Sequence, residues 1–292
     1  MISETLEIVA KVGILGFVVT SMLSVGMSVT LSQVVAPLRN GRLLGGALLG
    51  NFVAVPALAL LLGRLLPLDT HAGTALILLG TMAGAPFIPK LAQMAKGDVA
   101  FSVGLMVLLM VVTIGYAPIV LPRLVEGVAV APWDVAKPLV FLMLLPLALA
   151  MLVRARYPDL AANWSPELAR ISSVSLVLAL AAIILVAYDT IFGAIGSWIL
   201  IGAALLAIGS IVIGWVLSSG IDSATQRVAA VGTAQRNLSA AQLVAATSFG
   251  GETLVLTIVA SLALTAVLLV AAAEMGKRVG QPVAAVSAPS AV

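Results

Sequence analysis

Arg236 and Asn237 stand near the middle of VGTAQRNLSAAQLVAATSFGGE, residues 231–252, a stretch that is otherwise apolar or small almost throughout. A guanidinium offers a planar fork of donors that fits a carboxylate through two parallel hydrogen bonds. On a water-exposed surface that is unexceptional. Inside a bilayer a lone arginine is costly, so such residues face a cavity or a partner. Arg236 lies too far from either end of its apolar stretch for easy snorkelling. Two chemistries follow: it grips the anionic group of a bound solute, or it is bonded to carbonyls opened by a break in another helix. Thr233, Gln235 and Ser239 crowd the same segment, and polar groups there must find partners in each other or in a ligand. Asn51 beside Phe52 is a further polar position, of the kind that hydrogen-bonds between helices. Lys90, directly after Pro89, is the second interior cation, although it lies near enough to a span end to snorkel.

The twelve acidic residues all fall near span ends, in loops or in the N-terminal segment. Fixed positive charge without buried acid points to an anionic guest, a small organic anion of carboxylate type. It also removes other chemistries. An intramembrane hydrolase needs a nucleophile with a base, or a pair of buried acids. Here there is no cysteine, a single histidine (His71, in the loop-like PLDTHAG), and no acid clearly at mid-span. No cofactor and no metal centre is expected, with sodium or proton coupling left open.

These residues must be held by membrane helices. Of 292 residues, 62% are hydrophobic and 9% charged, against about a quarter charged in an ordinary globular chain. The mean hydropathy is +1.20. Apolar stretches near the roughly 20 residues that cross a bilayer recur along the whole length. The expected fold is an all-α polytopic membrane protein whose partner is the lipid bilayer. The sequence pI of about 9.5 records basic loops rather than nucleic-acid binding. The N-terminal MISETLEIVAKVG has acids where a signal peptide has a basic region, so it reads as mature protein.

About nine transmembrane helices are expected, near 9–33, 42–66, 72–95, 98–122, 134–154, 171–191, 196–218, 222–249 and 251–275. The tail, 279–292, is small-residue and Pro-containing and is expected to be disordered. Nine spans put the termini on opposite sides. One side collects Arg39, Arg42, Lys96, Arg154, Arg156, Arg170, Arg227, Lys277 and Arg278; the other collects Lys11, Arg64, Arg123 and Lys137. That bias puts the C-terminus in the cytoplasm and the N-terminus outside. The expected setting is a bacterial inner (plasma) membrane, with the protein a monomer or weak oligomer.

Two spans differ from the rest. In the third, Gly80, Gly84, Pro86 and Pro89 interrupt a helix that would otherwise run through; in the eighth the interruption is the polar cluster around Arg236. Both are expected to be discontinuous, non-helical near Gly84 to Pro89 and near Gly232 to Asn237, and to cross in the membrane interior. Broken helices in corresponding halves are the best sequence pointer to a transporter's binding site. Their separation by five spans implies inverted five-helix repeats with the first helix missing.

The same residues resemble the bile acid:sodium symporter family, within the bile/arsenite/riboflavin-type transporter superfamily that includes arsenite and auxin-efflux carriers. VGMSVTLSQVVAPLRN resembles the family's G-L-T-L-x-x-x-D-F stretch, and GNFVAVPALALLL its Q-F-x-x-M-P-x-x-A. AKGDVAFSV resembles A-R-G-N-V-A-L-S-V, and QRNLSAAQLVAATSF resembles Q-N-S-G-L-A-x-x-L-A-x-x-x-F. The resemblance covers most of the chain from Val25 to Leu269. It implies a single transporter unit over 1–278, with a core domain near 42–122 and 196–275 and a panel domain near 9–33 and 134–191. It also implies transport by alternating access.

The sodium-coupled relatives hold one ion with a Ser-Asn pair at the first crossing, a Ser and a Thr four residues apart, and a Glu. Here those places are Ile88 and Pro89, Ser102 and Met106, and Gly232. Their second site maps onto Asn51, Thr233, Gln235 and Arg236. Sodium wants oxygen ligands and is repelled by a guanidinium. Two-sodium coupling is therefore not expected. The alternatives are a symporter with a sodium site rebuilt from Ser102, Asn51, Thr233 and Gln235, or a membrane sensor or scaffold that transports nothing.

Overall fold

The structure, a computed structural model, describes residues 2–35, 40–125, 131–186, 193 and 197–279. The tail expected to be disordered lies outside the described residues from 280 onward, as does 187–191 at the end of the sixth expected span. The chain is helical, with one isolated β-bridge among the described residues. In chain order the helices are α1 (Ile2–Ser28), the short α2 (Leu31–Val35), α3 (Gly41–Leu65), α4 (Thr70–Thr81), α5 (Ile88–Met94) and α6 (Val99–Leu124). There follow α7 (Pro132–Arg156), α8 (Pro158–Val186), α9 (Trp198–Leu217), α10 (Ser223–Ala234), α11 (Leu238–Phe249) and α12 (Gly251–Arg278).

Six of these, α1, α3, α6, α7, α9 and α12, are long and apolar enough to cross a membrane. The other three expected spans correspond to α8 and to the two pairs α4/α5 and α10/α11. The protein is an all-α polytopic membrane protein. One boundary differs by half a helix: α8 begins at Pro158, although the polar PDLAANWSPELAR reads as a loop. Proline fits the first turn of a helix, where its missing N–H has no partner to lose. Val174, Val177, Leu178 and Leu185 of α8 are exposed, as expected of a face turned to lipid.

Helix starts are set by short polar side chains. Asn40, Asp69, Asp98 and Asp222 each accept a hydrogen bond from the backbone N–H three residues on, at 2.8–3.1 Å. An N-terminus so capped satisfies one of its orphan donors. Asp222 thereby fixes where α10, the half-helix leading to Arg236, begins. Asp222→Ala should cost about 1 kcal/mol of stability in detergent, while Asp222→Asn should melt within a degree or two of the parent. Equal losses for both would assign the carboxylate a role other than capping.

α1 packs along α8 and against the second half of α7; α9 packs on α3, α10 and α12, while α6 packs on the first half of α7, on α2 and on the broken-helix segments α5 and α10. Contact at the α1–α7 crossing is close: a Cβ on Gly26 would stand 2.6 Å from both Ala150 Cβ and the Leu147 carbonyl. Small residues permit such approach where no hydrophobic drive between helices operates. The order continuous, broken, continuous occurs twice, as α3, α4/α5, α6 and as α9, α10/α11, α12.

Candidate functional site: the crossing of two broken helices

The two interruptions meet. The first is as long as the sequence indicates but begins two residues earlier, and the second is narrower. The first spans Met82 to Phe87, and Pro89 belongs to the first turn of α5 rather than to the break. The second is only Gln235, Arg236 and Asn237, since Gly232 and Thr233 remain helical in α10. Neither glycine nor proline causes this second break. Its backbone is instead paired: Ala83 and Arg236 form an antiparallel bridge, and Asn237 N donates to Met82 O at 2.7 Å. Asn237 then caps α11, its Oδ1 accepting from Ala240 N, while its Nδ2 donates to Gly84 O at 2.9 Å.

Arg236 is fully buried. Its Nε donates to Leu79 O at 2.9 Å and its Nη2 to Gly80 O at 2.8 Å. Its Nη1 donates to Thr233 O and to Asn51 Oδ1, both at 2.9 Å. Leu79 and Gly80 close the last turn of α4, where carbonyls lack intrahelical partners and the helix dipole is negative. The guanidinium thus lies in a cage of four oxygens drawn from α3, α4 and α10. Asn51 reaches the cage from a single π-helical turn, 50–54, within α3; such turns insert a residue and redirect the side chains around it.

A cleft of about 540 Å³ opens beside this crossing. Its walls include Phe17, Val25 and Ser172 from the α1/α8 side, and Phe87, Leu238 and Ser261 from the other. Of the expected site residues, Gln235 and Ser239 line it. Arg236, Asn237, Thr233 and Asn51 do not; they form the buried bonding behind it. The direct grip on substrate expected of Arg236 has no counterpart in this geometry, because four hydrogen bonds aim its fork at protein oxygens. Lys90 is exposed on α5 and is not part of the cleft. Gln235 Nε2 donates to Arg236 O at 3.1 Å, and no described group donates to its Oε1. Gln242 and Ser21, also in the lining, make no side-chain hydrogen bond among the described residues and so retain donors for a guest.

The positions corresponding to the relatives' sodium ligands are filled. Ile88 and Met106 belong to one buried apolar cluster with Val29, Ala85 and Val107. Ser102 donates to Val99 O at 2.6 Å. A Cβ on Gly232 would lie 3.0 Å from Leu105 Cδ2. The other position holds the guanidinium itself.

A profile of the sodium bile acid symporter family matches residues 15–194. The chain belongs to that family. The match takes in the first interruption and ends before the second, so the Arg236 segment is read from its own geometry. No curated protein matches the chain. Family membership makes the protein a membrane transporter rather than an enzyme. His71 of the transporter, read as a loop residue, stands in the first turn of α4, with Nδ1 2.9 Å from Thr253 Oγ1 and Nε2 3.5 Å from Glu252 Oε2. Thr113 was not legible as a site residue. Its hydroxyl accepts from Ala83 N and donates to Ala83 O, which pins the first break to α6. One threonine in a long apolar helix gives no periodicity or motif to find it by.

Proposed function

We propose that the transporter carries a small organic anion of carboxylate type by alternating access, without two-sodium coupling. The observation that carries this reading is the guanidinium of Arg236, buried with no acidic partner among the described residues, directly behind Gln235 in the cleft wall. A full positive charge in a medium of low dielectric acts strongly over several ångströms. Among the described residues no acidic side chain lines the cleft to oppose it. α11 begins in the cleft wall at Leu238 and Ser239, and a helix N-terminus adds partial positive charge. Gln242 and Ser21 supply hydrogen-bond donors, and Phe17, Val25 and Leu238 supply an apolar bed. The α1, α7 and α8 group is the natural body to move against the rest. The excess of basic residues on one side supports a cytoplasmic C-terminus, and the setting proposed is a bacterial inner membrane.

The test is uptake by the purified protein in liposomes against a panel of organic anions, with external sodium replaced by potassium or choline. The initial rate should stay within about a factor of two, because Ile88, Met106 and Gly232 offer no side-chain oxygen at the first set of positions and the guanidinium of Arg236 stands among the second, where it repels a cation. A steep saturable dependence on sodium would show a rebuilt site. Uptake of neutral or cationic solutes with no anion recognised would overturn the substrate class.

A further inference from the structure

A second cavity, of about 430 Å³, lies where one end of α9, one end of α10 and one end of α12 meet. Ile211, Val212, Val216 and Met275 give it an apolar floor, and Trp215, Arg227 and Arg278 complete it. Arg227 is 9% exposed, yet only its Nη2 is bonded, to Lys96 O at 2.7 Å; its Nε meets no partner among the described residues. A buried guanidinium with most of its donors unused is unusual, since buried polar groups are normally satisfied. No described carboxylate lies within ion-pair distance of Arg227 or Arg278. Glu274, one turn before Arg278, is held by Lys277 at 2.7 Å.

Two arginines with no described carboxylate in ion-pair contact, over a hydrocarbon floor, at the end of three membrane helices, match a ligand with a phosphate head and acyl chains. Trp215 is about 40% exposed, and tryptophan at a helix end is the residue type that sits at headgroup depth. Basic pockets between transmembrane helices on the cytoplasmic side take anionic headgroups, and Arg227, Lys96 and Arg278 lie on the side with the cation excess. We infer that this cavity is a binding site for one anionic phospholipid, its phosphate held between Arg227 and Arg278 and its chains along Ile211, Val212 and Met275. The site is separate from the cleft at the crossing and does not depend on what is transported.

The experiment uses the full chain, purified into phosphatidylcholine nanodiscs and titrated with phosphatidylglycerol, with bound lipid read by native mass spectrometry and by melting temperature. The wild type should retain one phosphatidylglycerol with at least about tenfold preference over phosphatidylcholine. Arg278→Gln, at an exposed position whose loss should leave the fold intact, should reduce that preference about tenfold. Arg227→Lys keeps a donor for the Lys96 carbonyl but loses the fork, and should weaken retention in the same direction. Inorganic phosphate at millimolar concentration should neither compete nor raise the melting temperature. Equal retention of the two lipids by wild type, undiminished preference in both variants, or stabilisation by inorganic phosphate alone would each overturn the proposal.

Discussion

Arg236→Gln is expected to lower stability in detergent by about 2–4 kcal/mol, whether or not substrate is present. Hydrogen bonds to a charged group contribute roughly 1.5–3 kcal/mol each, and they are not additive when they share one side chain. The glutamine amide has two donors in place of five and a shorter reach. It cannot satisfy Leu79 O, Gly80 O, Thr233 O and Asn51 Oδ1 together. Arg236→Lys keeps the charge and loses the fork, and should cost about half as much. Thermal melting of the three proteins with and without a transported anion decides the matter. A glutamine variant that melts like wild type yet no longer binds the anion would put the guanidinium in contact with substrate and overturn its assignment to the cage.

The second large effect is expected at Gly84. Its φ is +79°, in the left-handed region that costs other residues about 1–2 kcal/mol. A Cβ there would run into the backbone nitrogen of Met110 and stand 2.6 Å from the carbonyl carbon of Leu109. These are backbone atoms of α6 and have no rotamer by which to yield. Overpacking of this kind costs roughly 1–3 kcal/mol more, so Gly84→Ala should lose about 2–5 kcal/mol and express poorly. Gly84 O also accepts from Asn237 Nδ2, so the damage should reach the second break. Protease sensitivity near residues 235–238 would report it. An alanine variant with wild-type melting and transport would mean that α6 is free to shift.

The sequence makes the helices legible because a bilayer leaves the backbone no other partner than itself. Apolar runs then mark spans, and Gly84 with Pro86 marks the first break through residues that cannot continue a helix. The start of α8 is less legible, because PDLAANWSPELAR is polar and falls between two expected spans, while its helix begins on a proline, which fits a first turn as well as it ends one. The site was less legible for a different reason. Arg236 announces that something anionic or carbonyl-rich faces it, and composition alone does not choose between them. That choice depends on the last turn of α4 ending within reach of its fork, a fact of tertiary geometry more than 150 residues away in the chain. Thr113 depends on the same geometry and has no local signal at all.

The oxygen cage around Arg236 bears on energy conversion. A cation bonded covalently to the chain does not dissociate and cross with each turnover, so it contributes nothing to the stoichiometry of the cycle. If the cargo is a monovalent anion that crosses without a co-transported ion, each turnover then moves one net negative charge. The membrane potential acts on that charge with about 2.3 kcal/mol per 100 mV, or roughly a fiftyfold concentration ratio. With the cell interior negative, the bias drives the anion outward. A carrier of this kind would work as an exporter by default, and would accumulate its cargo only with a proton or a counter-anion to reverse the balance.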